Sequence, residues 1–207
     1  MVAAVVVLTL KDEQREEVLL EQSDFVGRGL FKRRHDIVAA TIPSGVRTIG
    51  EDAFCECTSL TSVIIPEGVT TIKRGAFGGC TSLVSVTIPK GVTTIGASAF
   101  RGCRSLASVT IPEGVTEIGA YAFARCGLLQ QVNIMNPFAR IDSTTFSNCN
   151  RINRVSIHDS VTIIFPEGEE KKLRELYGRR PAWAHVFPSC PAANVGLPTS
   201  LRERYEA

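Results

Sequence analysis

Residues 88–110 read IPKGVTTIGASAFRGCRSLASVT, and this stretch decides the fold because the chain repeats it. Ile42, Ile65, Ile88, Ile111, Ile134 and Ile157 stand 23 positions apart, and Phe31, Phe54, Phe77, Phe100, Phe123 and Phe146 keep the same interval. A fixed period of this size marks a solenoid, since one short unit cannot bury its own apolar set but stacked neighbours can. The units beginning at 42, 65 and 111 differ from the quoted one mainly at polar positions. The unit at 134 replaces the Ile-Pro-x-Gly-Val start with Ile134, Met135, Asn136, Pro137 and Phe138, yet Ile141, Phe146, Cys149, Ile152 and Val155 stay in register. A half unit persists at Ile157, Val161 and Ile164, and a worn one precedes the clear ones at Val26, Gly27, Phe31, Ile37 and Ala40. Erosion at both ends is expected of capping units.

Each fixed position has a physical role. In residues 60–65, Val63 and Ile65 alternate with Ser62 and Ile64, the period-2 pattern of a strand with one buried face. Pro66, which lacks a ladder N–H, and Gly68 end that strand and turn the chain. Val69 and Ile72 form a second inward pair on the opposite side of the coil. Ala76, Phe77 and Cys80 suit one helical or 3₁₀ turn that closes it. Stacking then aligns one short strand per coil into a parallel sheet spaced at about 4.8 Å.

The full pattern, I-P-x-G-V-T-x-I-G-x-x-A-F-x-x-C-x-S-L-x-S-V-x, resembles the BspA-type leucine-rich repeat, closely over residues 42–133 and recognisably over 19–164. The resemblance implies an α/β repeat solenoid, a right-handed curved stack of 23-residue coils with a parallel β-sheet on one face. It also implies a protein that binds other macromolecules, in a family whose members are often surface-exposed or secreted and share no catalytic residues.

The 207 residues, 44% hydrophobic and 21% charged, suit one ordinary core or one short repeat array, and the period favours the array. Three segments follow: residues 1–41 as a strand/helix cap with the worn first repeat, 42–164 as the repeats, and 165–207 as a helical cap with an irregular tail. Residues 1–10 read as a Val-rich strand and 12–22 as a helix with Asp12 and Glu13 at its positive end, together lidding the first coil. No basic residue precedes the apolar run, and Lys11-Asp12-Glu13 stands where a cleavage site would come, so a secretory leader is not expected there. The run is too short to span a bilayer, and no membrane insertion is expected. At the other end, residues 169–177 read as a lid helix, with Trp183 and Phe187 as anchors among the prolines of the tail.

Of seven cysteines, Cys57, Cys80, Cys103, Cys126 and Cys149 share one repeat position. Pointing the same way from successive coils, they form a ladder of small apolar side chains and do not converge as the ligands of a zinc site must. No metal or other cofactor is expected, and reduced thiols favour an intracellular setting. Cys55 and Cys57 form a lone Cys-x-Cys, and His35, His158 and His185 sit in no catalytic or metal motif. Gly27-Arg28-Gly29 lacks the third glycine of a nucleotide loop. A net charge of +2, with Lys and Arg dispersed, gives no nucleic-acid footprint; the basic run Lys32, Arg33, Arg34 and His35 is read as an exposed part of a worn cap.

What remains is a surface. The outward strand rows are Ser62, Ser85, Ser108, Gln131, Arg154 and Ile64, Thr87, Thr110, Asn133, Ser156. Both change character toward the C-terminus, where Gln130, Gln131, Asn133, Asn153, Arg154 and Ser156 offer hydrogen-bonding groups for a partner. Six strands showing four residues each expose about 400 Å², half of the roughly 800 Å² that a standard interface takes from each side. The loops near Glu67, Lys90 and Glu113 would have to contribute the rest. The expected function is a non-catalytic protein–protein interaction module presenting its strand face to a protein partner. The alternative is a surface or secreted adhesin-like leucine-rich repeat protein.

Overall fold

The computed structural model describes residues 4–20, 24–157, 160–164, 186–187 and 195–196. Apart from the helical Val186, their regular elements are strands: β1 (Val5–Leu10), β2 (Arg15–Leu19), β3 (Phe25–Val26), β4 (Ile37–Thr41), β5 (Thr48–Ile49), β6 (Ser62–Ile64), β7 (Thr71–Ile72), β8 (Thr94–Ile95), β9 (Ser108–Ile111), β10 (Glu117–Ile118), β11 (Gln131–Ile134), β12 (Arg140–Asp142), β13 (Arg154–Ser156), β14 (Thr162–Ile164) and β15 (Val195–Gly196). The molecule is therefore a parallel β-solenoid of about six 23-residue coils, and the α/β expectation is corrected.

Strands run on two sides of the coil, where one sheet was expected. The Ile-Gly side carries β3, β5, β7, β8, β10, β12 and β14, with successive strands of this series paired in parallel from coil to coil. The opposite side holds two four-stranded sheets, β2-β1-β4-β6 and β9-β11-β13-β15. Residues 85–88 lie between these two without joining either ladder, and Val86 is half-buried where Val63 and Val109 are buried.

The segment that closes each coil is a run of turns, because its backbone repeatedly visits the left-handed region. In one coil Asp52 has φ 54° and Glu56 φ 60°, so helical continuity is broken within four residues. Successive N–H groups divide their bonds. Ala53, Cys55 and Cys57 donate to Gly50, Asp52 and Phe54 within the coil, while Asp52, Phe54 and Glu56 donate to Arg74, Ala76 and Gly78 of the next. The turn thus builds its own contribution to the stack, which a helix could not do, its amides being spent internally.

A phenylalanine column forms the centre of the core. Rings of Phe31, Phe54, Phe77, Phe100, Phe123 and Phe146 stack at centroid distances of 4.8 to 5.4 Å, all nearly fully buried. Phe187 continues the column at 4.9 Å from Phe146, so the expected anchor is in place. Trp183 and the lid helix read at 169–177 lie outside the described residues.

At the N-terminus, the helix expected over residues 12–22 is replaced by the second strand of a hairpin. Val6 pairs with Val18 and Leu8 with Glu16, and β1 then pairs antiparallel with β4. Glu13 at φ 63° and the Gln14 N–H donating to Asp12 Oδ1 make the turn. The hairpin closes the edge of β4 that faces away from β6, which would otherwise be open to water.

Candidate functional site

Of the six residues singled out in the sequence, Gln131, Asn133, Arg154 and Ser156 fall on the C-terminal sheet and Gln130 and Asn153 immediately precede its strands. Gln131 stands opposite Ser108 on one side and Arg154 on the other, and Asn133 stands opposite Thr110 and Ser156. They alternate with Val132, Ile134 and Val155, which are buried, so period-2 geometry sends Gln131, Asn133, Arg154 and Ser156 outward together. Gln130 and Asn153 precede these strands by one residue, and the Asn153 N–H donates to the Gln130 carbonyl at 3.0 Å. Among the described residues no side-chain hydrogen bond or ion pair occupies Gln131, Asn133, Arg154 or Ser156, and all but the half-buried Asn133 are exposed.

Beside this face lies a feature the sequence reading passed over. Met135, directly after β11, is 45% exposed, and Phe138 is 74% exposed. By spacing, Phe138 falls where Val69, Val92 and Val115 are buried, but Ala139 takes the inward place. Asn136 holds the altered loop: its Nδ2–H donates to the Val115 carbonyl at 2.9 Å, and its Oδ1 accepts from the Phe138 N–H at 2.8 Å. Asparagine thus supplies the bonds of a turn with one residue more before the inward position. The available clue was the departure from Ile-Pro-x-Gly-Val at residues 134–138.

The N-terminal basic run is internally satisfied. Lys32 meets Asp52 at 2.9 Å, Arg33 meets Glu56 at 2.9 Å, and Arg34 reaches Glu16 and Asp36 at 2.7 Å. The Arg34 guanidinium holds Asp36 down to about 2 and lowers Glu16 as well. His35 shares a hydrogen bond with Thr58 Oγ1 at 2.9 Å. These pairs tie the hairpin and first coil to their neighbours. The cysteine ladder is buried, and Cys55 is half-buried beside it. No group of three or more His, Cys, Asp or Glu side chains of metal-ligand geometry occurs among the described residues. No helix among them is long and apolar enough to cross a membrane.

Comparison with known proteins agrees with this architecture. The profile of the BspA type leucine rich repeat region matches residues 24–153 in six copies. The T. pallidum leucine rich repeat protein is similar at 27% identity and a TM-score of 0.64, covering 75% of this chain and 78% of its own. A leucine-rich repeat protein from Bacteroides ovatus is 32% identical with a TM-score of 0.56, over 77% of this chain and 44% of that one. One from Eubacterium ventriosum, at 22% identity and a TM-score of 0.59, shares the fold over 73% of this chain and 42% of its own. Comparison with curated proteins gave no match. Leucine-rich repeat proteins are generally non-catalytic, and the family fits a protein-interaction or surface-protein role. By its repeat pattern and coil geometry, this chain belongs to the BspA-type leucine-rich repeat family.

Proposed function

We propose that the chain is a non-catalytic protein–protein interaction module that binds a protein partner through its C-terminal strand face. The observation that carries this is the register of β11 and β13. The repeat departs from its own consensus at the outward positions Gln131, Asn133 and Arg154 while the inward Val132 and Val155 stay buried. Outward residues change without cost to the core, so they are where recognition can be written. Met135 and Phe138 supply the apolar anchors that polar rows lack, in keeping with interfaces whose energy concentrates in a few large side chains. The test is capture of partners from the source lysate, compared between the native protein and an Arg154→Glu, Gln131→Ala variant. An Arg74→Glu variant on the other side of the coil serves as the control. Selective loss in the strand-face variant supports the proposal; equal capture by all three removes it.

A further inference from the structure

The basic run at residues 32–34 and three later arginines differ in how the fold meets their charge. Lys32, Arg33 and Arg34 each meet a carboxylate at 2.7 to 2.9 Å. Arg104, Arg125 and Arg151 have no carboxylate partner among the described residues, yet they line one open cavity of about 400 Å³ with Ser105, Asn148 and Leu128. All three arginines are exposed.

Arg104 and Arg151 also depart from their own columns of the repeat, and Arg125 stands at a backbone position that favours glycine. Arg125 occupies the position of Arg33, Glu56, Gly79, Gly102 and Asn148, and every residue there has φ between 60° and 75°. A side chain at such a φ carries strain that glycine avoids. Arg33 and Glu56 at least bond to each other across coils, whereas Arg125 has Gly102 and Asn148 as column neighbours. Arg104 follows Thr58 and Thr81 in its column, and Arg151 stands where Ser59, Ser82 and Ser105 stand in theirs.

Three guanidinium groups around one concavity repel one another until an anion joins them. Their planar forks suit a tetrahedral oxyanion, which offers several acceptor oxygens and more than one negative charge. A single carboxylate brings one negative charge against three guanidinium groups, whereas a phosphate monoester brings nearly two and a third terminal oxygen. Ser105 and Asn148 add neutral donors, and Leu128, 41% exposed, offers an apolar wall to the carbon chain that carries the anion.

We propose that Arg104, Arg125 and Arg151 form a binding site for a phosphate monoester. The site uses none of the strand-face residues and stands or falls separately from them. The phosphate is carried either by a phosphorylated segment of a protein or by a small phosphorylated molecule, and the two sources are separable.

The experiment titrates the native protein with inorganic phosphate, a phosphoserine peptide otherwise made of Gly and Ala, its unphosphorylated form and tetraglutamate. The same probes are applied to an Arg104→Thr, Arg125→Gly, Arg151→Ser variant, which restores residues already used in those columns, and to Arg125→Gly alone should the triple variant not fold. The native protein is expected to bind the phosphopeptide at least about tenfold more tightly than the unphosphorylated peptide or tetraglutamate, with that preference lost in the variant. Inorganic phosphate binding as tightly as the phosphopeptide assigns a small molecule; a clear preference for the phosphopeptide assigns a protein segment. Binding of tetraglutamate equal to the phosphopeptide, retention of binding in the variant, or no phosphate binding at all overturns the proposal.

Discussion

The thiol of Cys80 donates to the carbonyl oxygen of Phe54 across 3.1 Å, one coil and three residues back along the chain. The bond recurs from Cys57 to Phe31, Cys103 to Phe77, Cys126 to Phe100 and Cys149 to Phe123, at 3.0 to 3.3 Å. Most of these carbonyls already accept a backbone amide within their own coil, as Phe54 does from Cys57. The thiol therefore fills the second lone pair of a buried acceptor while adding almost no polarity of its own. Cysteine is chosen here for packing, and its ladder stands beside the phenylalanine column throughout the stack.

Alkaline pH should unfold the protein through these thiols. Burial pushes Cys57 up to about 11 and Cys103 up to about 12, and it raises Cys80 too. Unfolded thiols ionise near about 8.5. Because the folded values are raised, this contribution to stability is complete below that pH and is lost as pH climbs toward the folded values. Cys57, Cys80 and Cys103 each add a decline of about 1.4 kcal/mol per pH unit across that window. Urea unfolding followed from pH 8 to 11 should show a shallower decline for Cys103→Ala by that amount, and parallel slopes would contradict it.

Gly114→Ala should be among the more damaging small substitutions. A Cβ at this position would lie 2.2 Å from the Lys90 carbonyl oxygen and 3.0 Å from that of Val92, both backbone atoms of the preceding coil. Neither can withdraw without opening the stack, so the expected loss is about 2 kcal/mol or more. At Gly27 the nearest atom to a new Cβ is 4.0 Å away, and Gly27→Ala should be nearly neutral. Chemical denaturation of the two variants makes the comparison.

The repeat exposed most of the fold because its inward positions are selected by burial alone, and the columns of Ile, Phe and Cys carry that selection at a fixed period. The N-terminal hairpin was less legible. Asp12 and Glu13 imitate the start of a helix, and Arg15, Glu16 and Glu17 are good helix formers, whereas what decides β2 is the pairing of Val18 with Val6 across the hairpin. The turns after each Ile-Gly pair keep the i→i−3 bonds of the expected 3₁₀ turn, as from the Ala53 N–H to the Gly50 carbonyl, but Ala, Phe and Cys at helical spacing do not reveal a left-handed residue at Asp52 or Glu56. At the candidate site, Gln131 and Arg154 were legible from period 2. Phe138 was not, because its exposure follows from Asn136 bonding to Val115, a contact between coils with no mark in local sequence.

Phe187→Ala should loosen one end of the molecule and leave the other unchanged. Phe187 closes the aromatic column on Phe146, and without it the last ring of the repeat faces solvent. Amide exchange should quicken in β13 and β14, whose coil is the one uncovered, while β4 and β5 keep their protection. Uniform acceleration throughout would mean that the stack opens as one unit and that Phe187 is no local cap.

Phe138→Ser tests whether exposure at the altered loop serves recognition. The ring is 74% exposed, and the loop is held by the Phe138 amide and the Asn136 side chain, neither of which the substitution removes. Stability should therefore change by less than about 0.5 kcal/mol. If the partner seats an apolar pocket on this ring, capture should weaken about tenfold, or roughly 1.4 kcal/mol, the scale of losing one buried anchor. Combining it with Arg154→Glu distinguishes one interface from two. Near-additive losses in titration calorimetry place both residues under the same partner as independent contacts. Loss of partner binding from Arg154→Glu alone, with Phe138→Ser silent, would confine recognition to the strands and leave the exposed ring without a part in it.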